Sequence, residues 1–199
     1  MAVLVGACGG SSSSGSDEPS GTFRVKVTEA SFPTSQQIGQ TTLLRLAFRN
    51  SGKRTIPALT VTITIAGKQG VDSSLPFAVH DPQPNLAQAE RPVWVLAEKY
   101  PRLVGSSEPA GATTSSPKTF DFGALKPGET TTGIWKLSAV RPGKYTLLYR
   151  VGAGLGGNAQ AKTTNGATPG GSITAEISTA TPETEVTDSG EIVEVGKGK

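Results

Sequence analysis

The feature that most constrains this chain is a run of alternating side chains between residues 59 and 65. Leu59, Val61, Ile63 and Ile65 are apolar, and the three positions between them are all threonine. A period of two places one set of side chains on each face of an extended strand. β-Branched residues also favour that conformation. The run therefore predicts a β-strand with one buried face and one polar face.

Six further runs show the same alternation and are separated mostly by Pro/Gly turns, such as Lys126-Pro127-Gly128 and Arg141-Pro142-Gly143. They cover residues 23–27, 44–48, 120–122, 135–139, 145–151 and 173–177. Seven short strands of this kind predict an all-β chain that folds as an immunoglobulin-like antiparallel β-sandwich. No ten-residue segment has a helical period free of glycine and proline, which excludes a helical bundle.

Length and composition agree with one sandwich. The 199 residues, with 25 glycines and 14 prolines, allow a single turn-rich domain of about 150 residues and two tails. No apolar stretch is long enough to span a membrane, apart from a cleaved leader. The net charge of +3 is small, and Lys and Arg occur singly along the strands, so we expect no nucleic-acid partner.

Residues 68–118 form a long insertion after the third strand, far longer than ordinary connections. Within it, Pro92-Val93-Trp94-Val95-Leu96 predicts an edge strand, because proline is tolerated where a strand begins. The Gly/Ser/Thr/Pro composition of residues 105–117 predicts a mobile loop. If the protein binds a partner, we expect Trp94 and Tyr100 to contact it. Alternatively, Trp94 packs over one open end of the sandwich.

Catalytic and metal-binding patterns are nearly absent from the sequence. His80 is the only histidine, and no Gly-x-Ser-x-Gly motif occurs. Residues 152–157 match a Gly-x-Gly-x-x-Gly spacing, but no helix can follow them, so we interpret them as a long hairpin loop. We expect no cofactor, no metal site and no enzymatic activity.

The N-terminus carries a second signal. Leu4-Val5-Gly6-Ala7-Cys8, followed by a Gly/Ser stretch, resembles the lipobox of bacterial lipoproteins. The resemblance implies cleavage before Cys8, a diacylglyceryl group on its thiol, and anchoring to the extracytoplasmic side of the cell membrane. Only seven residues precede Cys8. Either the start codon lies upstream and Met1 sits inside the apolar region of the signal, or the resemblance is accidental.

Three segments add a resemblance to a fold family. Pro142-Gly143-Lys144-Tyr145 resembles the tyrosine corner of immunoglobulin-like domains. Residues 44–52 and 55–63 resemble strands of adhesion-type, CARDB-like bacterial modules. Over residues 22–180 the chain is similar to uncharacterised predicted lipoproteins of actinobacteria, in segments 91–95, 123–128 and 151–155. These resemblances imply a fold and a location, with no catalytic motif and no known ligand.

The sequence thus predicts a lipobox and Gly/Ser tether over residues 1–21, a sandwich over 22–180 and a flexible tail over 181–199. We expect a lipid-anchored binding or structural protein of the cell envelope, attached to the membrane through Cys8. Its further partner would be a protein or an envelope polymer. One alternative is an assembly chaperone that lends an edge strand, residues 93–96, to an extended partner. Another is a hydrolase built around His80.

Overall fold

The computed structural model describes residues 18–66, 77–79, 92–110, 112–113, 118–186 and 192–194. All regular structure in these ranges is β-strand. Accordingly, the described part of the chain holds no apolar helix of membrane-spanning length. The strands form two large sheets, here called sheet I and sheet II, and one separate two-stranded ladder.

Sheet I has the order β12-β1-β3-β10-β6-β5, with β7 also paired to β10. Its strands are β1 (Gly21–Ser31), β3 (Thr41–Asn50), β5 (Phe77–Val79), β6 (Trp94–Leu96), β7 (Arg102–Leu103), β10 (Thr130–Ala139) and β12 (Ala159–Lys162).

Sheet II has the order β2-β13-β11-β4-β9-β8. Its strands are β2 (Ser35–Gln37), β4 (Thr60–Ile65), β8 (Ala112–Thr113), β9 (Thr119–Asp121), β11 (Gly143–Gly152) and β13 (Gly170–Ser178). In the predicted C-terminal tail, β14 (Thr184–Val186) and β15 (Ile192–Glu194) pair with each other.

One core lies between the two sheets, built from the inward residues of the alternating runs. Leu46 and Leu137 of sheet I and Ile63 of sheet II are fully buried, whereas the exposed residues Arg49 and Lys136 point outward from the same strands. Burying one such aliphatic side chain stabilises the fold by roughly 1.5–3 kcal/mol. The apolar residues of the period-two runs are therefore the ones that fill the space between the two sheets.

All seven predicted strands are present, and the predicted all-β sandwich is confirmed. The sheets are mixed rather than purely antiparallel, because β12 runs parallel to β1, β2 to β13 and β5 to β6. In the glycine-rich segment 152–157, Gly152 ends β11 and residues 153–157 lie in the loop that leads from β11 in sheet II to β12 in sheet I. The chain therefore crosses between layers at a point where the sequence predicts a long hairpin loop.

The predicted insertion contributes directly to the sheets. It supplies β5, β6, β7 and β8, and Val93, Trp94 and Leu96 belong to the core. The prediction of an edge strand at residues 93–96 is wrong, because β6 pairs with β10 on one side and with β5 on the other. Its three residues are buried, half-buried and buried.

The predicted tyrosine corner is also present. The hydroxyl of Tyr145 donates a hydrogen bond of 2.9 Å to the backbone carbonyl of Pro142, three residues upstream. This bond fixes the turn from which β11 begins. Two facing β-sheets, one shared core and this corner define an immunoglobulin-like β-sandwich.

Candidate functional site

The structure places Trp94 in the core rather than on a surface. Its side chain is fully buried, and its indole Nε1 donates a hydrogen bond of 2.9 Å to the amide oxygen of Gln36. The amide nitrogen of Gln36 in turn donates to the carbonyl of Pro33 at 2.8 Å. A partner cannot reach Trp94 without opening the sandwich, so its contribution is to packing.

Two rings complete the surroundings of Trp94. Phe32 and Tyr145 contact it edge-on, with ring centroids 5.6 Å and 5.9 Å away. Edge-to-face pairs of this kind add about 0.5–1.5 kcal/mol each beyond the burial of area. The contact between Trp94 and Tyr145 therefore links β6, a strand of the predicted insertion, to the tyrosine corner.

Tyr100 is accessible in part. Its ring packs against the core, and the guanidinium carbon of Arg102 lies 4.5 Å from the ring centroid. Arg102 Nε also donates a 3.0 Å hydrogen bond to the carbonyl of Lys99. The Tyr100–Pro101 peptide bond is cis. Of the two predicted contact residues, Tyr100 is the one that a partner can touch. Together with Arg102 it forms a cation–π pair at the surface.

Two open clefts flank the loop that joins β12 to β13. One has a volume of about 380 Å³ and is lined by Thr62, Thr64, Leu148, Tyr149, Arg150 and residues 168–171. The other, of about 860 Å³, is lined by residues 25–27 of β1 and by Thr163, Thr164, Asn165 and residues 167–170. Both linings offer hydroxyls and a cation, and their described residues include no carboxylate, histidine or cysteine.

Tyr149 lies beside the smaller cleft and is half-buried against the core. Burial raises the pKa of its hydroxyl above the usual 10.0, because the phenolate loses hydration that the neutral form does not need. Its ring lies across Gly171, the residue opposite it on β13, where an added Cβ would approach the hydroxyl oxygen to 2.5 Å. The glycine is therefore required for the position of the ring.

Cys8 and His80 lie outside the described residues, so the predicted lipidation site and the hydrolase alternative stay predictions. Within the described ranges, no three His, Cys, Asp or Glu side chains come close enough together to hold a metal ion.

The structure brings together a set of basic residues that their positions in the sequence do not suggest. On sheet I the inward residues of each strand form the core, and seven basic side chains alternate with them on the outer surface. We call this surface the basic face. Its basic residues are Arg24, Lys26, Arg45, Arg49, Arg102, Lys136 and Lys162.

Comparisons with known proteins give fold-level likenesses only. No protein-family model matches the chain, and neither does any curated protein sequence. Among solved structures, the chain is similar to the CARDB domain of the PF1109 protein from Pyrococcus furiosus, with 10% identity and a TM-score of 0.40 over 79% of this chain and 86% of that one.

Two other likenesses have comparable values. The ASH/PapD-like domain of human CEP192 is 11% identical with a TM-score of 0.40, over 79% of this chain and 87% of that chain. AvmM, which catalyses macrocyclization in alchivemycin A biosynthesis, is 10% identical with a TM-score of 0.43, over 80% and 91%. At these values no conclusion about binding or activity follows. The expected relation to actinobacterial lipoproteins stays a prediction.

Proposed function

We propose that this protein is a non-catalytic binding or structural component of a bacterial cell envelope, anchored by lipid at Cys8 on the extracytoplasmic side of the membrane. The observation that carries the proposal is the order of the chain. An aliphatic-small-small-Cys segment is followed by a Gly/Ser-rich stretch and then by a sandwich that begins at Gly21. Acyl chains on Cys8 would supply anchoring energy of about 0.8 kcal/mol per buried methylene.

A binding role fits the composition of the accessible surfaces. The described residues offer a stacked Tyr100–Arg102 pair, two clefts lined by hydroxyls, and the basic face. We propose that a protein or an envelope polymer contacts the region of Tyr100 and Arg102. The chaperone alternative lacks its main requirement, because the strand at residues 94–96 is already paired on both sides.

The anchor is tested on the protein isolated from its native host. We expect the wild type in the membrane fraction, and a diacylglyceryl thioether on Cys8 in the mass spectrum of its N-terminal peptide. Cys8→Ala removes the only thiol and should release the protein into the soluble fraction when membranes are washed at about 1 M salt, where attraction between surface charges is screened. Ser12→Ala in the same segment should stay membrane-bound under the same wash. An unmodified Cys8 thiol in the wild type would refute the anchor.

The partner site is tested by capture from envelope extracts with wild-type protein and with Tyr100→Ala. The variant should lose the captured partner at temperatures well below its own unfolding midpoint, which we expect to be lower than that of wild type because the Tyr100 ring packs partly against the core. Thr28→Ala, at an exposed position of β1, serves as the control. Equal capture by all three proteins would exclude Tyr100 from the contact.

A further inference from the structure

We propose that the basic face of sheet I docks on the surface of an anionic phospholipid bilayer. This inference goes beyond the lipid anchor and does not require Cys8 to be modified. It depends on the outward residues of five strands, β12, β1, β3, β10 and β7, which form one continuous surface.

Charge is strongly segregated on the molecule. Among the described strand residues, the basic face carries seven basic side chains and one acidic side chain, Glu29, which lies opposite Ala47 on β3. The whole chain has 19 basic and 16 acidic residues, so the remainder holds 12 and 15, a net charge of −3. A chain with a small overall charge thus presents a face with a net charge of +6, and such a face attracts polyanions.

Cross-strand pairing shows that this arrangement does not serve stability. Lys26 lies directly opposite Arg49 on β3, and Arg24 lies directly opposite Lys162 on β12. Like charges in direct cross-strand register destabilise a sheet. The Lys26–Arg49 pair in the antiparallel ladder therefore opposes folding, and the second like-charged pair lies beside it in the parallel ladder. Such a concentration of like charge is expected where an external anion neutralises it.

Most of these charges are available to a ligand. Within the described part of the chain, Lys26, Arg45, Arg49 and Lys136 have no ion-pair or hydrogen-bond partner for their charged groups. Arg24 donates to the carbonyls of Thr163 and Thr164, and Arg102 is held by Lys99. Carbonyl partners leave the positive charge of both arginines uncompensated.

The shape of the face favours a bilayer over a linear polyanion. At about 4.8 Å between neighbouring strands, five strands spread the charges over a width of about 19 Å. Leu43 lies among them on β3, next to Lys136 on β10, and is 38% exposed. A broad array of cations with an exposed apolar side chain matches the headgroup region of a membrane, where cations meet phosphates and leucine enters the interface.

The test uses the full chain carrying Cys8→Ser, so that no lipid contributes, with vesicles of equal parts phosphatidylglycerol and phosphatidylcholine. We expect cosedimentation with these vesicles and none with pure phosphatidylcholine. Binding should be strong at about 0.01 M salt, where the screening length is about 30 Å, and largely lost at about 1 M, where it is about 3 Å. Failure to bind the anionic vesicles at low salt would overturn the proposal.

A matched pair of triple variants separates the face from total charge. Lys26→Gln, Arg49→Gln and Lys136→Gln together should weaken binding about 100-fold, at about fivefold for each cation near the surface. Lys126→Gln, Lys144→Gln and Arg150→Gln remove the same charge from exposed positions elsewhere and should weaken it far less. Equal losses in the two triple variants would refute a specific face.

Soluble poly(glycerol phosphate) distinguishes a membrane from a polymer. At matched phosphate concentration, we expect it to compete poorly with vesicles, because a flexible chain does not present a flat array of headgroups. If it displaces the protein from vesicles or binds more tightly than they do, the face recognises a polymer and the bilayer proposal is wrong. Neither result bears on lipidation of Cys8, so this test and that of the proposed anchor fail separately.

Discussion

At the scale of one residue, the side chain of Asn50 holds together the two connections that pass between the sheets at one end, residues 51–59 and residues 122–129. It is fully buried at the end of β3, where its amide nitrogen donates to the carbonyls of Arg54 and Leu125 at 2.9 Å and 2.8 Å. Its amide oxygen accepts a 3.0 Å hydrogen bond from the backbone N–H of Gly52. The side chain therefore ties the turn after β3 to the segment that leads into β10.

Replacing Asn50 by leucine removes all three bonds, although the buried carbonyl of Leu125 keeps the backbone N–H of Ile56 as a partner. We expect Asn50→Leu to lower the free energy of unfolding by about 3 kcal/mol, at ~1 kcal/mol per bond. Asn50→Asp should lose the two donated bonds and retain the accepted one. Urea unfolding measures the effects, with Ser51→Ala at the neighbouring exposed position as the control. A loss no larger than that of Ser51→Ala would contradict this role.

Tyr149 is expected to lower the free energy of unfolding of the protein at alkaline pH. Because burial raises the pKa of its hydroxyl in the folded state, folding favours the neutral form. This contribution is complete below the unfolded pKa, near 10, and is lost as the pH rises through the folded value. Tyr149→Phe should therefore lose less stability than wild type between about pH 9 and about pH 11, measured by urea unfolding. Parallel losses in the two proteins would exclude the effect.

At the scale of elements, alternation alone was enough to predict seven strands, because each places a contiguous set of apolar residues on one face. The short strands were harder to predict. β2, β7 and β8 have two or three residues each, and pairing with longer neighbours, rather than their own pattern, makes them strands. Segment 93–96 was predicted as a strand, but its central place depends on Phe77–Val79, which pairs with it across a long connection.

The like-charged pair between β1 and β3 gives a prediction about these elements. Lys26→Glu converts the pair with Arg49 from repulsive to attractive, since the two residues lie in direct register. We expect the variant to be more stable than wild type by about 0.2–1 kcal/mol. Its binding to anionic vesicles should be weaker at the same time.

Thermal unfolding and vesicle cosedimentation of the same preparation measure both properties of Lys26→Glu. Lys144→Glu, opposite Glu176 on β13, is the control, because it changes the charge equally but creates a like-charged pair and should be less stable. If Lys26→Glu is more stable but binds vesicles as well as wild type, the proposal that the basic face docks on a membrane is contradicted.

At the scale of the whole molecule, the sequence did not reveal how charge is distributed. The cations are spread over residues 24 to 162 and never form a block, so the sequence predicts a dispersed charge. Alternation turns each of them away from the core, and sheet topology then sets their strands side by side. Trp94 is the converse case. Its place in a predicted insertion suggested a surface role, and only pairing on both sides of β6 buries it.

The single core also predicts how the molecule unfolds. Trp94 packs with Phe32 and Tyr145, whereas Trp135 packs with Phe120 and Phe122, yet both belong to one buried cluster. We expect the fluorescence of the remaining tryptophan and the circular dichroism to report the same midpoint in Trp94→Phe, and likewise in Trp135→Phe.

The two variants should differ in stability. Trp94→Phe leaves the buried amide oxygen of Gln36 without its donor, at a further cost of about 1–3 kcal/mol. Trp135→Phe removes an N–H that has no partner within the described residues. Separate midpoints for the two probes in one variant would indicate two independently folding parts.

The pairing of β1 also bears on mechanical resistance. Its first residues, Gly21 to Arg24, pair with β12, and Val25 to Ser31 pair with β3, so both ends of the strand are held by neighbours on opposite sides. A pull on the chain ahead of Gly21, directed along the strand, would load these ladders in shear, so that many hydrogen bonds must rupture together. A domain held at that end would resist extension by any tension directed along β1.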